Sequence, residues 1–275
     1  MIKKIAVLYG GSSSERQISL QSGEGVHKAI KELGYESELL DFKNITNFNE
    51  LKIYDFVFIA LHGFEGEGGE LQKNLDDLDI LYSGSKEIAC RNTWNKRITK
   101  EILKKNNITT PLWLETKLNK QLVEDGLQTS FFDKFRPYKY LFLKPEEDGS
   151  SVDIFKISDN ESLKNAYQKC INPNRSFLFE EYIEGRELTV TIINKECLPP
   201  LEIITTNEFY DYDAKYISDK TLHVEAELTK NELDKIKSIS LDAFEALDCN
   251  GWARVDLLQD KEKNFYIIEI NTVPG

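Results

Sequence analysis

Cysteine is scarce in this chain. Its four cysteines among 275 residues, Cys90, Cys170, Cys197 and Cys249, lie far apart with no C-x-x-C pair. That spacing excludes a disulfide framework and a zinc site built on paired thiols, and it fits a reducing compartment with buried, inert thiols. Long apolar runs are missing as well: none approaches the roughly 20 residues that a membrane-spanning helix needs. The N-terminal apolar run ends at Tyr9 and passes straight into Gly10-Gly11-Ser12-Ser13-Ser14-Glu15-Arg16, too short for a secretory signal. Positive charge is also in deficit, 35 Lys and Arg against 47 Asp and Glu, a formal net charge of −12. Polyanions are repelled by such a surface, which argues against nucleic acid or an anionic membrane as the main partner. The chain reads as soluble and cytoplasmic, and any phosphate it binds must meet a local pocket of Lys, Arg and backbone N–H groups.

The length suggests about two domains, and a hydrophobic fraction of 40% allows a sizeable core. There is no internal repeat and no low-complexity segment. Ile5 to Tyr9 reads as a buried strand followed by a Gly/Ser-rich turn. Ile18, Val26, Ala29, Ile30 and Leu33 then recur at helical spacing, with Gly34 as a stop. Glu36 to Asp41 and Phe56 to Leu61 read as further strands, so the first 85 or so residues predict a doubly wound parallel sheet. A polar helix is expected from Asn95 to Lys105. Beyond Tyr138 the pattern becomes mixed α+β, with strands over Lys139 to Lys144, Val152 to Ile157, Ser176 to Glu181, Glu187 to Ile193 and Leu198 to Thr205. Ser158 with Glu161, and Thr229 with Glu232, read as capping boxes opening two helices. Two strands, Trp252 to Leu258 and Phe265 to Ile270, close the chain.

Those last strands carry the most chemistry. Alternation puts Arg254 and Asp256 on one face, and Glu269 and Asn271 on a face with Ile267. If the strands pair, two carboxylates, an amide and a guanidinium converge, and buried carboxylates need a neutralising cation. Oxygen-only ligands suit Mg²⁺ or Mn²⁺. An exposed charged sheet face is the alternative for any one of these residues; the matched set favours the metal. Lys144 ends a strand just before Asp148-Gly149-Ser150-Ser151, a loop able to fold over phosphates and equally able to be a surface turn. Lys96, on the polar helix, is a weaker signal of the same kind. Tyr210-Asp211-Tyr212-Asp213-Ala214-Lys215-Tyr216 fits either an exposed strand or a lid carrying Lys215 to a phosphate. Gly10-Gly11-Ser12 does not complete the G-x-G-x-x-G of a dinucleotide fold. The turn does place Glu15 at a helix N-terminus, to stabilise the helix dipole or to bind a substrate ammonium. His62-Gly63 follows a strand at an equivalent edge, and a lone histidine there is more often structural.

Taken in order, these motifs resemble the D-alanine–D-alanine ligases of the ATP-grasp superfamily from the first strand to the last residue. The similarity rests on Val7 to Leu20, on Leu61-His62-Gly63 with Gly66-Glu67-Gly68-Gly69, and on Lys144-Pro145 with Gly149-Ser150-Ser151-Val152. Tyr210-Asp211-Tyr212 with Ala214-Lys215-Tyr216, Arg254-Val255-Asp256 and Glu269 to Gly275 complete it. The resemblance implies a Rossmann-like N-terminal substrate domain (1–86) followed by a two-subdomain ATP-grasp fold (87–179 and 180–275). ATP would lie between two sheets, its phosphates against Lys96 and Lys144 and its γ-phosphate near Lys215. Glu180, Glu181, Tyr182, Ile183 and Glu187 would line adenine and ribose, with Phe142 and Phe209 packing the base. Asp256, Glu269 and Asn271 would hold the metal. Glu15 would meet the first D-alanine's ammonium, with Ser150 and Tyr216 completing a link that holds the lid closed, and His62 would lie near that substrate's carboxylate.

The implied chemistry has two steps. The first D-alanine's carboxylate attacks the γ-phosphate to give an acyl phosphate and ADP, a transfer governed by positioning and charge neutralisation. The second D-alanine's amine then attacks the acyl carbon, with Arg254 and the Gly275 N–H stabilising the oxyanion. Relatives that form a D-alanyl-D-lactate ester carry Phe at the lid position of Tyr216, so Tyr implies an amine nucleophile. The chain departs from the family in having Trp94-Asn95, not Met-Asp, before Lys96. The family continues beyond Gly275 with a Ser-rich loop and a helix that help bind the second D-alanine, so a poorly formed second-substrate site is expected over these residues. Homodimers are common in the family. Rival expectations are another ATP-grasp ligase, with D-lactate as nucleophile, and a nucleotide-binding regulator without turnover.

Overall fold

Strand β1 (Lys4–Tyr9) is an apolar run with Ile5 to Leu8 buried, and it pairs in parallel with β2 (Glu36–Asp41) and β3 (Phe56–Ile59). The computed structural model describes residues 2–128, 130–135, 138–149, 152–205 and 221–274. Parallel strands need a crossover, which helix α1 (Arg16–Glu32) supplies between β1 and β2. The order β2-β1-β3 puts β1 in the middle, so the Gly10-Gly11 turn opens at the carboxyl edge where such sheets take ligands. The doubly wound expectation holds, but the contact face of α1 is a surprise. Its buried residues are Ser19 and Gly23, whereas Leu33 is 74% exposed. The helix lies so close to β1 that any side chain at position 23 would overlap the Tyr9 ring. Ser19 Oγ donates to the Ala60 carbonyl at 2.6 Å and accepts from the Gly10 N–H at 2.8 Å, joining the ends of β1 and β3. Short helices α2 (Phe64–Glu67) and α3 (Glu70–Asp77) follow, then α4 (Glu87–Trp94) and α5 (Lys96–Lys105).

The central sheet is antiparallel, in the order β4-β7-β5-β6, and comprises β4 (Trp113–Lys117), β5 (Leu141–Pro145), β6 (Phe155–Ile157) and β7 (Ser176–Glu181). Leu141, Leu143, Phe177 and Phe179 turn one face onto α6 (Lys120–Asp125) and α7 (Asn160–Lys169). That alternation leaves Phe142, Lys144 and Glu180 on the opposite face. The capping box of α7 is one residue away from its expected place: Asp159 accepts from the Ser162 N–H at 2.7 Å and Ser162 Oγ accepts from the Asp159 N–H at 3.0 Å. The Asp159 carboxylate is a strong acceptor for the orphan N–H groups of the first turn, and it displaces the Ser158 box.

The C-terminal sheet holds β8 (Gly185–Ile193), β9 (Glu196–Cys197), β10 (Leu201–Ile204), β11 (Leu222–Glu225), β12 (Trp252–Asp260) and β13 (Phe265–Asn271). Its order is β11-β10-β8-β12-β13, with β9 on β8. Helix α8 (Lys230–Ala246), capped by Thr229 and Glu232 as expected, packs Ile236, Ala243 and Phe244 against Val190, Val255 and Leu257. Leu103 of α5 joins this same core. Helix α5 therefore rests on the C-terminal sheet while Lys100 reaches across to the central one. All four cysteines are free, and burial raises their pKa values, to about 12 for Cys90 and Cys249. No described helix is long and apolar enough to cross a membrane.

Candidate active site

The turn after β1 is built by charge. Gly10 and Gly11 have φ values of 75° and 73°, a region that strongly favours glycine. Arg16 donates to the Gly11 carbonyl at 2.7 Å and to both oxygens of Asp41, at 2.9 and 2.6 Å. Those bonds hold Asp41 down to about 2, from an ordinary 3.8. A carboxylate with a lowered pKa contributes stability that is present above its unfolded value and lost as pH falls through the folded one. The urea midpoint of Arg16→Met is therefore expected below wild type at about pH 5, with the difference shrinking toward pH 2 to what the lost bond to the Gly11 carbonyl leaves.

This turn starts α1 at Glu15, whose side chain makes no capping bond to the helix. The Glu15 carboxylate instead lies beside two glycines: a β-carbon added at Gly63 or Gly149 would sit 3.0 or 3.1 Å from it. Ser13 Oγ donates to the His62 carbonyl at 3.0 Å and accepts from the Glu15 N–H at 3.2 Å, clipping the two edges together. Buried His62 has Nδ1 3.0 Å from the Val273 carbonyl and Nε2 2.9 Å from Ser22 Oγ. A carbonyl only accepts, so Nδ1 carries the proton and Nε2 takes the serine hydroxyl's. Burial lowers the His62 pKa, outweighing the Val273 bond and nearby Glu15, which favours the neutral ring. Glu67 accepts from the Gly63 N–H at 2.9 Å. Burial, then the negative charge of Glu15, pushes it up to about 8.

On the opposite wall, strands β12 and β13 pair as the sequence suggested. Asp256 faces Glu269 and Arg254 faces Asn271 across the ladder. Parity fails at one point. A bulge between Asp256 and Leu257 leaves Ile268 extra, so Ile267 turns into the core while Glu269 and Asn271 keep to the cavity. Asp256 Oδ1 accepts from Thr189 Oγ1 at 2.7 Å and from Arg254 Nε at 2.9 Å. Its Oδ2 accepts from Arg254 Nη2 at 2.8 Å and Asn271 Nδ2 at 3.0 Å. Because Asn271 spends its NH₂ on Asp256, its carbonyl oxygen is the end left for a cation. Two opposed carboxylates and one amide oxygen, with room for phosphate and water oxygens, fit Mg²⁺.

Between these walls lies the basic part. Phe142 stands directly opposite Glu180 on the β5–β7 ladder, and the Phe142 and Tyr182 rings are 5.8 Å apart. Lys144 Nζ donates to Glu180 Oε1. Lys96 Nζ donates to the Asp148 carbonyl at 2.6 Å. Asn95 both caps α5, accepting from the Ile98 N–H at 3.0 Å, and donates its amide to Glu147 at 2.8 Å. An aspartate could cap the helix but could not donate to Glu147, which accounts locally for asparagine here. Arg175 pairs with Asp148 and Asp153.

One cavity of about 820 Å³ collects Glu15, His62, Lys96, Phe142, Lys144, Glu180, Glu181, Tyr182, Ile183, Glu187, Arg254, Asp256, Glu269 and Asn271. Every site residue expected from the sequence and described in the structure is on that wall. Ser150, Phe209, Lys215, Tyr216 and Gly275 lie outside the described residues. Three residues were missed. Thr189 and Glu67 line the cavity, and Lys100 sits behind it, bonded to Glu180. Glu67 stood inside a recognised glycine-rich motif without a role; Thr189 and Lys100 carry no sequence signal of their own.

A parallel-sheet unit whose turns meet a cavity between two antiparallel sheets, lined by lysines on one side and paired carboxylates on the other, defines an ATP-grasp ligase. The family model described as D-ala D-ala ligase C-terminus matches residues 105–275. D-alanine–D-alanine ligase B of Clostridium perfringens is 36% identical over 274 residues, 99% of this chain and 88% of the relative. The D-alanine–D-alanine ligase of Saccharophagus degradans is 39% identical over 271 residues, 98% of this chain and 84% of the relative. The Bacillus anthracis D-alanine–D-alanine ligase solved in complex with ATP superposes with a TM-score of 0.83 at 29% identity, covering 99% of this chain and 87% of that one. The chain belongs to the D-alanine–D-alanine ligase family.

Proposed function

We propose that the cavity binds ATP with its base against Phe142, Tyr182 and Ile183 and its phosphates toward Lys96 and Lys144. Family membership makes the chain an ATP-dependent ligase that joins two D-alanines into the dipeptide of peptidoglycan precursors. The observation that carries the site reading is the single cavity onto which all the described candidates converge. Residues 1–86 would serve the first D-alanine, and 87–179 and 180–275 would grip the nucleotide from two sides. Glu181 and Glu187 would meet adenine and ribose, and Glu180, both of whose oxygens accept from lysines, would line that end of the cavity without a side-chain bond to the nucleotide. Asp256, Glu269 and Asn271 would hold Mg²⁺ or Mn²⁺, which supplies neutralisation of phosphate charge.

Glu15 would take the ammonium of the first D-alanine, which orients its carboxylate toward the γ-phosphate. Neutral His62 would face that carboxylate without adding a proton to it. Transfer of the γ-phosphoryl group to a carboxylate oxygen gives D-alanyl phosphate and ADP. The amine of the second D-alanine then displaces phosphate from the acyl carbon, and Arg254 would stabilise the oxyanion formed there. The reaction is proposed to take place in the cytoplasm.

Phosphate release and product analysis with Mg-ATP and D-alanine, L-alanine or D-lactate test this reading. D-alanine alone is expected to give ADP, phosphate and D-alanyl-D-alanine in equal amounts. A D-alanyl-D-lactate ester as main product at neutral pH would replace the amine nucleophile with a hydroxyl. Background phosphate release with D-alanine would leave only a nucleotide-binding regulator.

A further inference from the structure

Glu180 presents a difficulty for phosphate binding. It is only 3% exposed, and one of its carboxylate oxygens accepts from Lys144, the lysine proposed above to face ATP. A lysine paired one-to-one with a carboxylate offers a phosphate little net charge. The second oxygen resolves this: Glu180 Oε2 is 2.6 Å from Nζ of Lys100, a side chain 1% exposed on α5. The other two donors of that ammonium go to Thr110 Oγ1 at 2.8 Å and the Pro111 carbonyl at 3.2 Å. Lys100 has no donor left for a ligand, and it does not line the cavity.

Burial lowers the Lys100 pKa against the attraction of Glu180. Yet its nitrogen faces three acceptors, Glu180 Oε2, Thr110 Oγ1 and the Pro111 carbonyl, and a neutral amine has only two N–H groups to give. Two ammonium groups then share one carboxylate, so these three groups keep a net positive charge, and of the two lysines it is Lys144 that lines the cavity, beside Glu180. Burying a lysine costs free energy unless it is paired and hydrogen-bonded, and an apolar residue in its place would avoid that cost. Its retention has a specific electrostatic consequence. Glu180 is held ionised against the burial that would raise its pKa, because Lys100 and Lys144 both attract it. Lys100 also links the central sheet to a helix packed on the C-terminal sheet, the two walls of the cavity.

We propose that Lys100 is a positioning residue for the nucleotide: by taking half of Glu180 it leaves the charge of Lys144 available to the triphosphate. This rests on the ATP site proposed above. Lys100→Met is expected to keep the fold, because Glu180 retains Lys144. It should weaken Mg-ATP binding by about tenfold or more, a change of about 1.4 kcal/mol or more, with KM for D-alanine changed much less. Lys100→Met with Glu180→Gln removes one charge of each sign and restores the net positive charge, so ATP affinity should recover most of the loss. A merely structural role for Lys100 predicts no such recovery.

The measurement is titration calorimetry with a non-hydrolysable ATP analogue and Mg²⁺, alongside thermal unfolding and steady-state KM values. Wild-type affinity in Lys100→Met overturns the proposal, as does an affinity in the folded double variant no better than in the single one. If Lys100→Met does not fold, the double variant decides against wild type: affinity within about threefold supports the proposal, and a loss beyond about tenfold overturns it. Failure of the wild-type protein to bind the analogue would instead overturn the ATP site itself.

Discussion

Glu269→Gln is expected to abolish dipeptide formation while leaving the thermal unfolding midpoint near that of wild type. Glu269 stands opposite Asp256 in the β12–β13 ladder, on the cavity face. Gln has nearly the same shape but no charge, and Glu269 is only half-buried, so the β-sheet survives the change. What changes is the charge offered to a divalent cation. Asp256 would remain the only carboxylate of the set, and it is already committed to Arg254, Thr189 and Asn271. Loss of one anionic ligand from the proposed magnesium–phosphate site should lower kcat/KM on the order of a thousandfold. The concentration of Mg²⁺ needed for half-maximal rate should rise as well. Coupled ADP release with a Mg²⁺ titration measures both. Near-normal turnover at ordinary Mg²⁺ would remove Glu269 from the metal set.

The second large effect is expected at Glu15, and it separates substrate from nucleotide. Glu15→Gln leaves the helix cap intact, because the native side chain makes no capping bond. It removes the negative charge held beside Gly63 and Gly149, where the ammonium of the first D-alanine is proposed to sit. Truncating one partner of a desolvated charge pair costs about 2–5 kcal/mol, so kcat/KM for D-alanine should fall by about a hundredfold or more. KM for ATP should stay within about twofold, since no nucleotide contact is altered. Steady-state kinetics with each substrate varied in turn gives the split. Equal losses for both substrates, or no loss for D-alanine, would contradict the assignment.

Several parts of this molecule were legible in the sequence because they depend on near neighbours. Thr229 and Glu232 cap a helix through contacts three residues apart, and the capping box found there was the one expected. Strand alternation over Arg254-Val255-Asp256 needs only backbone geometry, and the structure keeps both polar residues on the cavity side. Gly10-Gly11 marked a turn at the edge of a parallel sheet, and that is where it lies. Other parts were not legible. The α7 cap moved by one residue because Asp159 competed with Ser158 for the same N–H groups. The bulge at Ile268 reversed the side taken by Ile267, and periodicity alone carries no sign of an inserted residue.

By itself, then, the sequence determined the order of elements, the residue types able to hold phosphate and a hard cation, and their place at strand ends and turns. Those follow from local backbone geometry and ordered motifs. Only the tertiary structure decided that α1 meets its sheet through Ser19 and Gly23, and that His62 is buried between Ser22 and Val273. It alone brought Lys100 from 80 residues away in sequence to the second oxygen of Glu180. Charge balance in a buried cluster depends on distances between elements, and sequence spacing does not encode those distances. The polar helix that contained Lys100 was evident from the start; the carboxylate it would meet was not.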